Sequence, residues 1–238
     1  GLHAAPIVAG NTIIVGAAHL PGGAPPSRTN VKGFVRGFDA RTGDRKWIFH
    51  TIPDGDEFGN DTWGDDSWRT TGNTGVWAQM SIDPELNMAY LPVEAPTGDY
   101  YGGHRPGDNL FSGSVVAVDL DTGERKWHYQ TVPGDTWDYT AVQHMVLADL
   151  AIDGEQRQVI MQAPKNGFYY VIDRVTGELI SAENIMPVNW ATHIDLESGR
   201  PVEVDGARYD ETLATKKISP GAGGAHNWQP MSYSPLTG

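Results

Sequence analysis

The sequence predicts an all-β chain built from repeated strand–turn–strand units, and two observations carry that prediction. Residues 35–47 read VRGFDARTGDRKW and residues 115–127 read VVAVDLDTGERKW, with a weaker copy, YVIDRVTGELIS, from Tyr170 to Ser181. In each, an alternating apolar stretch ends at Asp, a Thr-Gly turn reverses the chain, and a second strand begins near the Trp position. The second observation is a companion phrase. Trp77–Asn87 reads WAQMSIDPELN and Trp228–Gly238 reads WQPMSYSPLTG, each placing Met three residues after Trp and then a Pro-containing turn. Units that cannot bury a face alone imply a radial or stacked β architecture.

Taken in order, Pro6–Val8 and Thr12–Val15 flank an Ala9-Gly10-Asn11 turn and predict a hairpin, not a secretory leader, because no basic segment precedes them. Residues 20–33 carry no strand periodicity. Strands are expected at 34–39 and 46–51. Residues 52–76 form a long polar loop, and Trp63, Trp68 and Trp77 in or beside it argue against disorder. The stretch 143–150 suits a strand or a short helical turn. The last phrase stops at its turn, as if mid-hairpin. The spacing predicts repeating units of roughly 40–50 residues, so about four to five four-stranded units within one domain over 1–238.

Composition narrows the function. Thirty acidic against 17 basic residues give a formal net charge of −13, which argues against nucleic acid or an anionic membrane as partner. The absence of Cys rules out disulfides, thiolate metal sites and covalent haem attachment through C-x-x-C-H. No apolar run approaches 18 residues, the length of a membrane-spanning helix.

The phrase A-x-D-x-x-T-G-x-x-x-W is complete at Ala117, Asp119, Thr122, Gly123 and Trp127, and has Gly37 for Ala in the copy at Asp39, Thr42, Gly43 and Trp47. With TWGDDSW (62–68), VWAQMSIDPELNMAYLP (76–92), YYGGHRPGDN (100–109), GDTWDYTAVQHMVL (134–147), APKNGFYYVIDRVTG (163–177) and GGAHNWQPMSYSPLTG (223–238), it resembles the eight-bladed propeller of pyrroloquinoline quinone (PQQ) dependent dehydrogenases, the quinoproteins that oxidise alcohols and glucose. The resemblance implies that about half of such a ring is present, so that a second copy, as a homodimer, or another chain would complete it. It also implies PQQ and Ca2+ as cofactors, an alcohol, polyol or sugar as substrate, a cytochrome c or quinone as electron acceptor, and a periplasmic location.

The resemblance also assigns roles. Asp138, in the Trp-Asp-Tyr run, matches the general base and a metal neighbour, with Asp135 as the alternative base. Trp77 matches the tryptophan stacked on the quinone, and Lys165 the cation that reaches the quinone oxygens. Asn227 and Trp228 match a cofactor-contacting stretch, and His226 reads as structural. Trp47 and Trp127 read as blade-docking residues. Thr140 stands where lanthanide-using relatives carry Asp, which implies calcium.

The sequence departs from the family at the metal. No Glu stands near Arg28-Thr29-Asn30, where an early ligand is expected, and Glu94-Ala95-Pro96 replaces a Gly-Asn-Pro turn, leaving Glu94 as the substitute oxygen donor. Gly75 replaces a cofactor-contacting Thr, with Thr74 adjacent. Asp65 and Asp66 read as solvated loop acids, and His104-Arg105 as a turn. Two alternatives to an active enzyme stay open: a related propeller that serves as a protein-binding scaffold, and a catalytically incomplete piece of an enzyme.

Overall fold

The computed structural model describes residues 4–17, 22–211 and 216–237. The first sheet comprises β1 (Ile7–Ala9), β2 (Thr12–Val15), β3 (Phe34–Asp39) and β4 (Arg45–His50), paired in that order and antiparallel throughout. The second comprises β5 (Ser81–Asp83), β6 (Met88–Pro92), β7 (Ser114–Asp119) and β8 (Arg125–Gln130). The third comprises β9 (Val146–Ile152), β10 (Glu155–Gln162), β11 (Phe168–Asp173) and β12 (Leu179–Asn184). A two-stranded sheet, β13 (Ala191–Ile194) with β14 (Pro201–Glu203), follows.

Each four-stranded sheet is a meander, the form of a propeller blade. The 143–150 stretch resolves as strand β9. Three full blades and one hairpin stand among the described residues, where the spacing predicts four to five units. Much of the difference lies in long connections: 51–80, 93–113 and 131–145 contain no strand. The 51–80 connection is not simply loop, since Asn60–Thr62 and Gly64–Arg69 form 3-10 turns. No helix of the described chain is long and apolar enough to cross a membrane.

The repeated phrase builds the same turn three times. Asp39, Asp119 and Asp173 each accept, through one carboxylate oxygen, the backbone N–H groups two and three residues on. Each following Thr hydroxyl accepts the N–H two residues further, and each Gly closes the turn at positive φ (78°, 72° and 81°). An Asp side chain that mimics a backbone turn, then a residue free to enter the left-handed region, explains why Asp and Gly recur.

The tryptophans explain the rest. Trp47 of the first blade donates its indole N–H to Leu120 O of the second at 3.1 Å, and its ring lies where a Cβ on Gly123 would stand, 2.6 Å away. Trp127 of the second blade repeats this on the third, donating to Arg174 O at 3.2 Å with its ring 2.7 Å from a Cβ on Gly177. Each Trp therefore seats on the Thr-Gly turn of the next blade. Gly37 follows the same logic, because a Cβ there would meet the Trp47 ring at 2.2 Å.

Two cores fill the spaces between blades. Ile14, Val35 and Trp47 pack with Ala89, Leu91, Val116 and Val118, and Tyr90, Val115 and Ala117 pack with Ile160, Phe168 and Tyr170. Strand β7 is buried on both faces and reads as an unbroken apolar run, SVVAV. A buried ion pair reinforces the second interface: Arg174 donates to Asp83 at 2.7 Å and to Asp149 at 2.8 Å.

Candidate functional site

The site is built from loops at the ends of the blades. Asp138 lies in the 131–145 connection with φ of 61°, a left-handed conformation that Asp tolerates better than most side chains. The preceding Asp135 holds that turn in place. It is fully buried, and its two carboxylate oxygens accept the N–H of Trp137 and of Thr140, each at 2.9 Å. Both Asp135 oxygens are thus used within the turn that carries Asp138.

Lys165, from the β10–β11 turn, reaches across to Asp138. Its Nζ donates to Asp138 Oδ2 and to Asp138 O, both at 2.9 Å, and only 8% and 18% of the two side chains are exposed. Tyr100 adds a weaker hydroxyl contact to Oδ2 at 3.4 Å. Burial pushes the Asp138 carboxyl above the usual range, while the Lys165 ammonium opposes that shift.

A second group of acids faces Asp138. Glu94, just past β6, is 8% exposed and Oε1 accepts the N–H of Gly75 at 2.9 Å. Burial pushes Glu94 up to about 8, helped by the negative charges of Asp99 and Asp138. Asp99 is pushed up to about 7 by burial and by Asp138 and Asp135. Sequence reasoning missed Asp99 and Tyr100. Their only signal was their place beside the YYGG segment.

Trp77 and Trp228 meet. The two copies of the Trp-x-x-Met-Ser phrase bring their tryptophans to one cavity of about 250 Å3, lined also by Ala5, Ala78, Gln79 and Pro230. Asn227 is turned elsewhere: its Nδ2 donates to Gly223 O and its Oδ1 accepts the Trp228 N–H, so both ends serve a local turn. His226 donates through Nδ1 to Ala163 O at 2.7 Å, and Ala225 N donates to Lys165 O at 3.0 Å, which ties the 223–228 segment to the lysine turn.

Thr74 is fully buried at φ of 61° and its hydroxyl has no protein partner; the buried Thr140 hydroxyl is likewise unpartnered. Asp65 and Asp66 are exposed, Asp66 pairing with Arg69 at 3.2 Å. Arg105, expected in an open turn, is instead buried. It binds Gly98 O, Asp135 O and Asn109 Oδ1, and so braces the loop that carries the site acids.

The sequence and the bladed fold are matched by known proteins. The family model for the β-propeller domain of PQQ glucose/ethanol/alcohol dehydrogenases covers residues 1–201. The chain belongs to the PQQ-dependent dehydrogenase family. It is 45% identical to the quinohemoprotein alcohol dehydrogenase ADH-IIG of Pseudomonas putida, over 98% of this chain and 33% of that protein. It is 39% identical to a lupanine 17-hydroxylase [cytochrome c] of a Pseudomonas species, over 97% of this chain and 34% of that protein. Among solved structures, a europium-containing methanol dehydrogenase superposes with a TM-score of 0.89 at 33% identity, covering all of this chain and 43% of the other. The chain thus spans about a third of the length of the curated relatives it matches.

PQQ is the cofactor of this family, and calcium is its typical metal. The residues suit a flat, oxygen-rich quinone: an aromatic pair lines a cavity, a cation is paired with Asp138, and the buried Thr74 hydroxyl lacks a protein partner. The metal is served less fully. One Glu94 oxygen is engaged by the Gly75 N–H and Asp138 by Lys165, and among the described residues no group of three or more His, Asp or Glu side chains is placed to hold a metal.

Proposed function

We propose that this chain supplies the cofactor floor and the general base of a periplasmic quinoprotein that oxidises an alcohol, polyol or sugar and passes electrons to a cytochrome c or a quinone. The observation that carries the reading is the Asp138–Lys165 pair: a carboxylate held at positive φ, largely shielded from water and bonded twice by one ammonium.

PQQ, when bound, accepts the two electrons that leave the alcohol carbon with its hydride. The chain's own residues handle the proton and the setting. Asp138 takes the hydroxyl proton of the alcohol at a carboxylate oxygen. Its raised proton affinity strengthens it as a base, and Lys165 keeps it ionised despite burial. Lys165 also places positive charge where reduction builds negative charge, which lowers the barrier electrostatically. Trp77 and Trp228 line one cavity and offer an aromatic surface for a planar ring. The cytochrome acceptor rests on the likeness to a lupanine 17-hydroxylase [cytochrome c], and ring completion by a second copy or another chain belongs to the same proposal.

The test is a titration of the chain with PQQ in the presence of calcium. Tryptophan emission falls saturably, and Trp77→Phe removes most of the fall. A folded chain that shows no quenching defeats the cofactor reading. Asp138→Asn keeps the left-handed turn, because Asn also tolerates it, and so keeps the quenching. It lowers dye-linked alcohol oxidation by about 10²–10⁴-fold, the usual contribution of a positioned base.

A further inference from the structure

We propose that Gly224 is a positioning residue for the Asp138–Lys165 pair: with no side chain at 224, the 220–226 segment closes against the flank of Lys165 and holds its ammonium on Asp138. Its part in catalysis rests on the reading that Lys165 serves both the base and the quinone.

The first observation is steric. Gly224 lies at φ of 78°, and a Cβ there would stand 2.4 Å from Lys165 Cγ, 2.5 Å from its Cβ and 2.7 Å from its Cα. Real Cβ atoms do not approach that closely, so only glycine fits between this backbone and the lysine. The second is the pair of bonds beside it. Ala225 N donates to Lys165 O at 3.0 Å and His226 Nδ1 donates to Ala163 O at 2.7 Å, so the segment is tied along the lysine turn. The third lies at the segment's other end. Tyr139 Oη donates to Pro220 O at 2.8 Å, and Tyr139 directly follows Asp138. One short segment therefore joins the turn that carries the base to the turn that carries its cation.

A lysine ammonium rides on a flexible four-carbon stem, so its position depends on what packs along that stem. Here the root of the stem is covered by the Gly224 backbone, and the tip donates to Asp138 Oδ2 and O, both at 2.9 Å. Confinement at both ends selects the rotamer that pairs with the base. Gly221 and Gly223 stand in the same segment, yet a Cβ on either meets nothing within 4 Å. Of these three glycines, the steric demand falls on the one that touches Lys165.

The experiment reads Lys165 directly in the ligand-free chain, by competitive acetylation with acetic anhydride and mass spectrometry of the peptides. Lys46, whose Nζ is bonded to Thr12 and Asp121 in the first two blades, is the internal reference. In Gly224→Ala, acetylation of Lys165 relative to Lys46 rises by about 10-fold or more, as expected when a protected group opens locally. Gly223→Ala leaves the ratio within about 2-fold of wild type, because its Cβ enters open space. Gly224→Ala also carries the strain of its left-handed backbone. Should it not fold, His226→Ala removes only the bond to Ala163 O and raises the ratio by about 3-fold or more.

PQQ titrations in the presence of calcium then show whether Gly224 acts through Lys165. Gly224→Ala weakens PQQ binding by about 10-fold, the scale of a lost supporting contact, and Lys165→Met weakens it at least as much. In the Lys165→Met background, Gly224→Ala adds less than about 2-fold, since effects that pass through one group do not add. Three results overturn the proposal: an unchanged acetylation ratio in the folded variants, an equal rise in Gly223→Ala, or additive losses of PQQ affinity. Should the wild-type chain not bind PQQ, the functional reading fails, while the acetylation ratio still decides whether Gly224 holds Lys165.

Discussion

Asp138 shows how much of a functional residue is made by its neighbours. The Trp-Asp-Tyr run pointed to the residue, but its shielded, charge-paired setting is tertiary. Its left-handed backbone is imposed by Asp135, whose two oxygens accept the N–H groups on either side of it in sequence. Its charge is balanced by Lys165, 27 residues away in the chain. Asp135→Ala leaves two buried N–H groups without acceptors, at about 1–3 kcal/mol each, so urea denaturation should show a loss of about 2–6 kcal/mol. Asp135→Asn keeps one acceptor oxygen and should lose roughly half as much. Equal losses in the two variants would mean that the carboxylate is not the brace described. Asp99 and Arg105 mark the limit of what the sequence revealed at this scale. An acid in a Gly-Asp-Tyr-Tyr stretch carries no local mark of burial, and the arginine before Pro-Gly reads as part of a turn. Their burial arises from the packing of the 93–113 connection against 131–145, which no local pattern encodes.

The blades were legible because their signals are local and repeated. Alternation gave β2 and β3 their stated bounds, and β4 begins one residue before the expected start. The fourth turn was missed although its signal was present. Asp195-Leu-Glu-Ser-Gly199 joins β13 to β14 with the same bonds as the three Thr-Gly turns: Gly199 N to Asp195 O at 2.8 Å, and the Glu197 and Ser198 N–H groups to the Asp195 carboxylate. Ser replaces Thr, and Tyr129 replaces the docking Trp, its ring 3.1 Å from a Cβ on Gly199 and its hydroxyl on Gly199 O. The docking rule separates otherwise equivalent glycines. Gly43, Gly123 and Gly177 all have positive φ, but a Cβ on Gly43 meets nothing within 4 Å. Gly43→Ala should cost only the left-handed backbone penalty, about 1–2 kcal/mol. Gly123→Ala and Gly177→Ala add overpacking against Trp47 and Trp127, about 1–3 kcal/mol more. Chemical denaturation of the three variants checks the order, and equal losses would show that the tryptophans do not seat on these turns.

At the scale of the whole chain, stability depends on how the blades hold ionisable groups that water would otherwise solvate. Several acids sit in turns whose N–H groups stabilise the carboxylate, as at Asp39, Asp119 and Asp173. His128 is the opposite case. It lies on β8 between Phe111 and Phe58, with ring centroids 5.3 and 5.8 Å away, and the Arg125 guanidinium stands 3.4 Å from its Nδ1. Arg can only donate, so Nδ1 accepts and the ring is neutral. Burial, with Arg125 adding to it, pushes the His128 pKa down from 6.5 to about 4. The unfolded chain therefore binds this proton more readily than the folded one. The contribution of His128 is fully present above about pH 6.5 and is lost as pH falls toward 4. Acid titration of the turn carboxylates acts in the same direction but at lower pH, since their pKa values are held below 3.8. Removing the imidazole separates the two. His128→Phe keeps the aromatic packing with Phe111 and Phe58 and abolishes the charge. Melting temperatures measured between pH 7.5 and 4.5 should fall more steeply in the wild type than in His128→Phe, with the curves diverging below about pH 6.5, where a free imidazole begins to protonate. Parallel curves across that window would mean that the imidazole is hydrated in the folded chain, and that the loop carrying Phe58 does not close over β8.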